Sequence, residues 1–262
     1  MQFKDHYDIF LGRHAIWQRP DYESHSVLCR EMFMSLGLIP NPDGGVKPLA
    51  VDIGAGSGFQ SVSLAELGYV VVALDLNKSL IFALRQCSRG RDISFVERDI
   101  LDFADVCFSA PALVVCLGNT AAHCKDRDEV RKFFDLVRNT LAPNGFFLLS
   151  FCDLTDPKNG LDRIHTLVNT DDKIVTCFVE YFDEMVVVND LVYERKSDGS
   201  GFNINNSWYE KVRLTQGWVQ STLIETGFTI TKILTPSDMG HCGCALENEK
   251  DGMVTILAQV KN

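Results

Sequence analysis

The 262-residue sequence lacks several things, and each lack removes a class of protein. No stretch approaches the roughly 18 uninterrupted apolar residues of a membrane span, and Met1-Gln2-Phe3-Lys4-Asp5-His6 shows no basic region leading into an apolar run. A membrane protein and a secreted one are therefore not expected. Basic residues are in deficit, 25 against 35 acidic, giving a net charge of -10. Such a field repels a phosphate polymer unless a local patch outweighs it. The densest basic stretch, Arg85 to Arg98, is interrupted by Asp92 and Glu97 and reads as solvated surface, so nucleic acid is not an expected partner. The nine cysteines are odd in number and scattered, several inside apolar runs, which suits reduced thiols in the cytoplasm better than a disulfide framework. Internal repeats and low-complexity tracts are also missing.

What is present is an ordinary globular composition, 46% hydrophobic and 23% charged, enough for one main core with an appended element. Tyr22 to Leu36 places Val27, Cys29, Met32, Phe33 and Leu36 at near-helical spacing and stops at Gly37. We expect residues 1–47 to form a helical N-terminal cover, with the turn-rich Pro40 to Pro48 leading into a core over 48–262. From Leu49 onward strands and helices alternate. The strands Leu49 to Ile53, Tyr69 to Leu74, Ile93 to Val96, Ala112 to Leu117 and Phe146 to Phe151 are nearly continuous apolar runs. Strands buried on both faces look like that, so the pattern predicts an α/β fold: a doubly wound, mostly parallel, Rossmann-like sheet with helices on both faces.

After Phe151 the texture changes. A helix is expected around Leu161 to Val168, followed by three runs of alternating polar and apolar residues, Lys173 to Phe182, Met185 to Arg195 and Phe202 to Leu214. Alternation fits antiparallel strands wet on one side, so residues 152–214 are expected to form a small inserted sheet. Gln216 to Thr226 returns as helix, and the strands Phe228 to Leu234 and Met253 to Val260 complete a seven-stranded sheet whose last strand is antiparallel. The long irregular Pro236 to Asp251 between them is a candidate functional loop.

Chemistry concentrates in Val51-Asp52-Ile53-Gly54-Ala55-Gly56-Ser57-Gly58, between the first core strand and its helix. Glycines there let the chain turn sharply and bring main chain against a ligand without an intervening β-carbon. In a doubly wound sheet this is also where the crevice beyond the strand ends lies. Asp75 closes the second strand, where a carboxylate can accept both hydroxyls of a ribose; the alternative is a cap for the helix beginning near Asn77.

Asp52-Ile53-Gly54-Ala55-Gly56-Ser57-Gly58 together with Asp75 resembles the cofactor motif of class I S-adenosylmethionine-dependent methyltransferases. A dinucleotide fingerprint would want a small residue where this chain has Phe59, which argues against a nicotinamide-dependent oxidoreductase. The resemblance implies S-adenosylmethionine as cofactor, held by Gly54, Ala55, Gly56, Asp75 and Leu76. It further implies that Asp99, in Arg98-Asp99-Ile100, meets the adenine amino group while the Ile100 amide meets a ring nitrogen. Cys116-Leu117-Gly118-Asn119-Thr120-Ala121-Ala122-His123 is similar to a segment of glycine N-methyltransferase-like enzymes, which implies that the Leu117 carbonyl faces the cofactor amine. Trp208 to Leu214 resembles the same group, yet Phe151-Cys152-Asp153-Leu154 lacks the arginine that would hold a glycine carboxylate.

The expected activity is methyl transfer to nitrogen or oxygen of a small-molecule acceptor; the alternative is a non-catalytic cofactor-binding module or scaffold. His6, Tyr7, His14 and Trp17 could cover the cofactor, and His123 could face the acceptor. Tyr181, Tyr193, Trp208, Tyr209 and Arg213 could line the pocket from the inserted sheet. No catalytic residue is assigned. His241-Cys242-Gly243-Cys244 has no second ligand pair at zinc-like spacing nearby, so no metal is expected. Oligomeric state is left open.

Overall fold

The computed structural model describes residue 6 and residues 22–41, 45–88, 90–235 and 252–260. Tyr7, His14 and Trp17 of the expected N-terminal cover, and the whole candidate loop 236–251 with its His-Cys-Gly-Cys run, lie outside the described residues.

Strands β1 (Leu49–Ile53), β2 (Val70–Asp75), β3 (Ile93–Glu97), β4 (Leu113–Cys116) and β5 (Phe146–Cys152) pair in parallel in the order β3-β2-β1-β4-β5. β10 (Phe228–Leu234) and β11 (Met253–Val260) complete a seven-stranded sheet, with β11 antiparallel to both β5 and β10. The expected architecture is thus present. β1 and β4 are buried along their whole lengths because they lie in the middle, covered on both faces.

Alternate residues serve opposite layers. Val51, Ile53, Val114, Cys116, Phe147 and Leu149 pack on one side, towards α4 (Arg127–Thr140) and α5 (Gln216–Glu225). Ala50, Leu113, Val115 and Leu148 pack on the other, towards α1 (Tyr22–Ser35) and α2 (Phe59–Glu66). Phe133, Phe134 and Phe147 form the densest aromatic packing, with edge-on and tilted rings 5.9 to 6.0 Å apart. The helix α3 (Lys78–Cys87) follows β2, with the Asn77 side chain accepting from the Leu80 amide at its start.

Between β5 and α5 stands a separate four-stranded sheet in the order β6-β7-β8-β9, made of Ile164–Asn169, Lys173–Tyr181, Met185–Arg195 and Phe202–Val212. The helix expected around 161–168 is absent: one short 310 turn, Gly160–Arg163, runs into β6. Leu161, Ile164 and Val168 mimic helical spacing, but the β-branched Ile164, Thr166 and Val168 find strand partners in Phe178, Thr176 and Val175, and the pairing decides.

Every second residue of β8, Val186, Val188, Asp190 and Val192, is buried on one face. Facing β9 residues in register are Lys211, Tyr209 and Ser207, opposite Val186, Val188 and Asp190. The two sheets are tied by Arg213, whose guanidinium donates to the carbonyls of Leu154 at 2.9 Å, Thr155 at 2.9 Å and Phe182 at 3.0 Å.

Candidate functional site

Parallel strands end together, so the carboxyl ends of β1 to β4 lie along one edge, and β1 and β4 diverge there because the chain winds one way through β2 and the other through β4. The turn after β1 occupies that divergence. Gly54 and Ala55 both donate their amides to the Leu74 carbonyl, at 2.8 and 3.0 Å, and Gly58 donates to Ala55 at 2.8 Å. Gly54, Gly56 and Gly58 all have positive φ, a region that costs any residue with a β-carbon.

Each glycine answers a different demand. A β-carbon on Gly54 would sit 2.4 Å from the Thr120 hydroxyl, and one on Gly58 would sit 1.8 Å from a Leu84 methyl on α3. These two are small so that protein can pack on protein. A β-carbon on Gly56 would meet nothing nearer than the Gly54 carbonyl at 3.9 Å. Its smallness serves the open side of the turn, a cradle a side chain would fill.

Asp75 points at that cradle. One carboxylate oxygen accepts the Gly56 amide at 2.8 Å, and the other accepts the Asn77 amide at 2.8 Å. Asp75 thus supports the entry to α3, where Asn77 itself supplies the side-chain cap, and reaches across to the glycine turn. A carboxylate oxygen accepts more than one hydrogen bond, so this orientation is compatible with hydroxyl donors on the open side. Leu76 follows, half-buried.

Asp52, one turn of chain below, is fully buried and accepts the Ser61 hydroxyl of α2. Burial pushes its carboxyl up to about 7, opposed by the Ser61 hydrogen bond and assisted by the negative charge of Asp75. The two acids thus share one electrostatic site at the end of β1 and β2. Ser61 carries no signal in the sequence that marks it as Asp52's partner.

Asp99 and Ile100 stand where β3 leaves the sheet. Asp99 is exposed, and one of its oxygens caps a short 310 helix, Ile100–Val106, by accepting the Leu101 amide at 3.0 Å. Ile100 is half-buried against the core. After β4, the Leu117 carbonyl accepts the Thr120 hydroxyl at 2.9 Å, while the Gly118 amide donates to the Ser150 hydroxyl at 2.8 Å. Thr120 is the residue that sequence reasoning passed over: it closes the gap between β4 and the glycine turn, and nothing about a threonine in that segment announces it.

The turn holding Thr120 runs on as a 310 helix, Thr120–His123, and brings His123 against β9. The His123 and Tyr209 rings lie 5.9 Å apart. Burial first, then the Lys211 and His6 charges, hold His123 well below the usual imidazole range, so it is neutral at pH 7. Of the pocket residues expected from the inserted sheet, Tyr209 reaches this place. Tyr181 lies beside Arg213, 5.9 Å from its guanidinium, with its hydroxyl pushed up by burial. Tyr193 and Trp208 occupy the opposite face of the sheet, Trp208 45% exposed. Arg213 is engaged with backbone carbonyls rather than turned to a ligand. Among the described residues no group of histidine, cysteine and acidic side chains could hold a metal ion.

Residues 51–149 match the family model described as a methyltransferase domain. The cypemycin N-terminal methyltransferase of a Streptomyces species is 30% identical over 139 residues, 47% of this chain and 54% of that protein. The chain spans about half the length of the curated relatives it matches. Among solved structures, the CcbJ methyltransferase of Streptomyces caelestis superposes with a TM-score of 0.71 at 14% identity, covering 100% of this chain and 97% of its own. An amino pentose methyltransferase of Micromonospora echinaspora, solved with S-adenosylmethionine bound, gives 0.67 at 13% identity, covering 96% of both chains. The fold is the one these proteins share.

Proposed function

We infer, from the methyltransferase domain that residues 51–149 carry and from its class I fold, that this chain binds S-adenosylmethionine beside the Gly54 to Gly58 turn and transfers its methyl group to a small-molecule acceptor. The observation that carries the reading is the Asp75 carboxylate aimed at the Gly56 amide across an open cradle. Gly54, Ala55 and Gly56 would receive the methionine end, Asp75 and Leu76 the ribose, Asp99 and Ile100 the adenine, and the Leu117 carbonyl the amine. Phe59 is buried in α2 with its ring 5.3 Å from that of His25, so the close helix-to-strand approach of a dinucleotide site is not what this position serves.

The bound cofactor supplies an activated methyl on a sulfonium, displaced in line by the acceptor. The protein's share is alignment and exclusion of water. The turn at 118–123 packs against β9 beside the crevice, and this is the side on which we place the acceptor. His123, neutral and half-buried there, is able to take a proton from an acceptor that arrives protonated. Solved neighbours include a sugar N-methyltransferase and a glycopeptide N-methyltransferase, which favours nitrogen over oxygen as the acceptor atom. No arginine follows β5 to hold a glycine carboxylate, which disfavours glycine.

The cytoplasm is the compartment we propose, because the nine cysteines are odd in number and scattered, several in apolar runs, which suits a reducing environment better than a disulfide framework. The net charge of -10 disfavours nucleic acid as a partner. Calorimetry with S-adenosylhomocysteine tests the whole reading: wild type binds, and Asp75→Ala loses about 100-fold, the loss of charge-assisted hydrogen bonds. Absence of binding by either S-adenosylmethionine or S-adenosylhomocysteine at millimolar concentration overturns it. Tight binding with no S-adenosylhomocysteine formed from amines, phenols or carboxylates converts it to a non-catalytic cofactor-binding module.

A further inference from the structure

Polar side chains from distant parts of the chain are buried together on the inner face of the four-stranded sheet. His6 is 0% exposed, Asp190 3%, Ser207 5% and Lys211 8%. β8 alternates Val186, Val188, Asp190, Val192 on this face, so a valine at 190 would continue the row without desolvating a carboxylate. The compensating partner is His6. Its Nε2 lies 3.0 Å from the Asp190 carboxylate and its Nδ1 2.7 Å from the Ser207 hydroxyl. Asp190 and Ser207 are register partners on neighbouring strands, so the ring is seated between a hydrogen bond to Ser207 and a 3.0 Å contact with the Asp190 carboxylate.

The His6 ring packs on Tyr209 with centroids 4.3 Å apart and a 37° tilt, and Tyr209 in turn approaches His123 at 5.9 Å and 35°. Three rings therefore form a row from the Asp190–Ser207 pair to the turn that carries Thr120, and Thr120 packs on Gly54 in the cofactor crevice.

We propose that His6, clamped by Asp190 and Ser207, is a positioning residue for methyl transfer, fixing the His123 imidazole through the Tyr209 ring at the acceptor side of the crevice. This rests on the methyl-transfer reading above. The groups that face His123 are Tyr209 and Lys211 from β9, His6, and, through His6, Asp190 of β8; Cys124 adjoins it in the chain. Lys211 and His6 both oppose a positive charge on His123, and the packed rings keep water from it. Removing His6 takes away one opposing charge and opens a space for water, and both changes make His123 easier to protonate.

The test follows the histidine ring signals of the full chain by NMR against pH, with His123 identified by its loss in His123→Asn. In wild type His123 titrates below the ordinary imidazole range. In His6→Ala its midpoint rises by about one unit or more towards the ordinary value. Ser207→Ala, which loosens the clamp without changing a charge, moves it less and in the same direction. S-adenosylhomocysteine affinity, measured on the same samples, stays at the wild-type value in both. A purely structural His6 would lower the unfolding midpoint of both variants yet leave His123 titrating as in wild type, and that result overturns the proposal. Should His6→Ala fail to fold, Ser207→Ala decides by the same criterion. Failure of wild type to bind S-adenosylhomocysteine is the separate outcome that removes the methyl-transfer reading and this one with it.

Discussion

The two sheets handle polar chemistry in opposite ways. At the carboxyl edge of the seven-stranded sheet, Asp52, the glycine turn and Asp75 lie within one short stretch of sequence, and most of the donors are backbone amides held by φ values that only glycine adopts cheaply. On the inner face of the four-stranded sheet, His6, His123, Asp190, Ser207, Tyr209 and Lys211 come from far-apart stretches, and side chains make the contacts. A site of the first kind depends on local conformation. One of the second kind depends on strand register, because a slip of a single residue along β8 would turn Asp190 to the opposite face.

The largest test of that difference lies in the cores beneath each site. Phe147 is completely buried among Phe133, Phe134 and Phe228, and Phe147→Ala should lower unfolding free energy by about 3–5 kcal/mol. Val188, at 7% exposure in the smaller sheet, should cost about 1–2 kcal/mol as Val188→Ala, fewer carbons leaving a thinner layer. Denaturant titration of both variants checks this, and equal losses would mean that the small sheet carries as much of the stability as the large one.

Protonation gives the next largest effect. The Asp52 carboxyl ionises near 3.8 when unfolded and at about 7 when folded, so between those values the folded protein holds the extra proton and stability falls as pH rises. The full loss is on the order of 4 kcal/mol from below pH 4 to above pH 7, at 1.36 kcal/mol per pKa unit. Asp52→Asn removes this contribution. Its stability relative to wild type should therefore increase from about pH 4 to about pH 7 and level off above that; a difference independent of pH above pH 5 would show that Asp52 is ionised in the folded crevice throughout.

A smaller effect separates the two kinds of glycine in the turn. Gly54→Ala combines positive-φ strain with overlap on Thr120 and should cost about 2–4 kcal/mol. Adding Thr120→Ala removes the two closest overlapping atoms and should recover about 1 kcal/mol, while Gly56→Ala, whose methyl meets only the Gly54 carbonyl at an ordinary 3.9 Å, should cost only the strain of about 1–2 kcal/mol. Thermal unfolding measures all three. Gly56→Ala should weaken S-adenosylhomocysteine binding out of proportion to that loss, since its new methyl would stand in the cradle.

Much of the large sheet was legible because its signals are local. Continuous apolar strands such as Leu49–Ile53 and Leu113–Cys116 announce burial on both faces, and the glycine turn with Asp75 announces the crevice. The strand β6 reads as helix in the sequence because Leu161, Ile164 and Val168 fall at helical spacing, and only the pairing of Ile164, Thr166 and Val168 with β7 makes it a strand. Asp99 was legible as a residue at the end of β3, yet its capping of Leu101 was visible only in space. Tyr193, Trp208 and Tyr209 looked alike in the sequence; strand parity sent Tyr209 inward and the other two outward.

By itself, the order of residues determined the parallel sheet, the glycine-lined edge and the acid that closes β2, since each is written in periodicity and in backbone freedom over a few consecutive positions. Tertiary structure alone decided that Thr120 closes on Gly54, that Ser61 serves Asp52, and that His6 stands between Asp190 and Ser207. Those partnerships join positions far apart along the chain, and a residue's type says what bonds it can make without saying which distant strand will bring the partner.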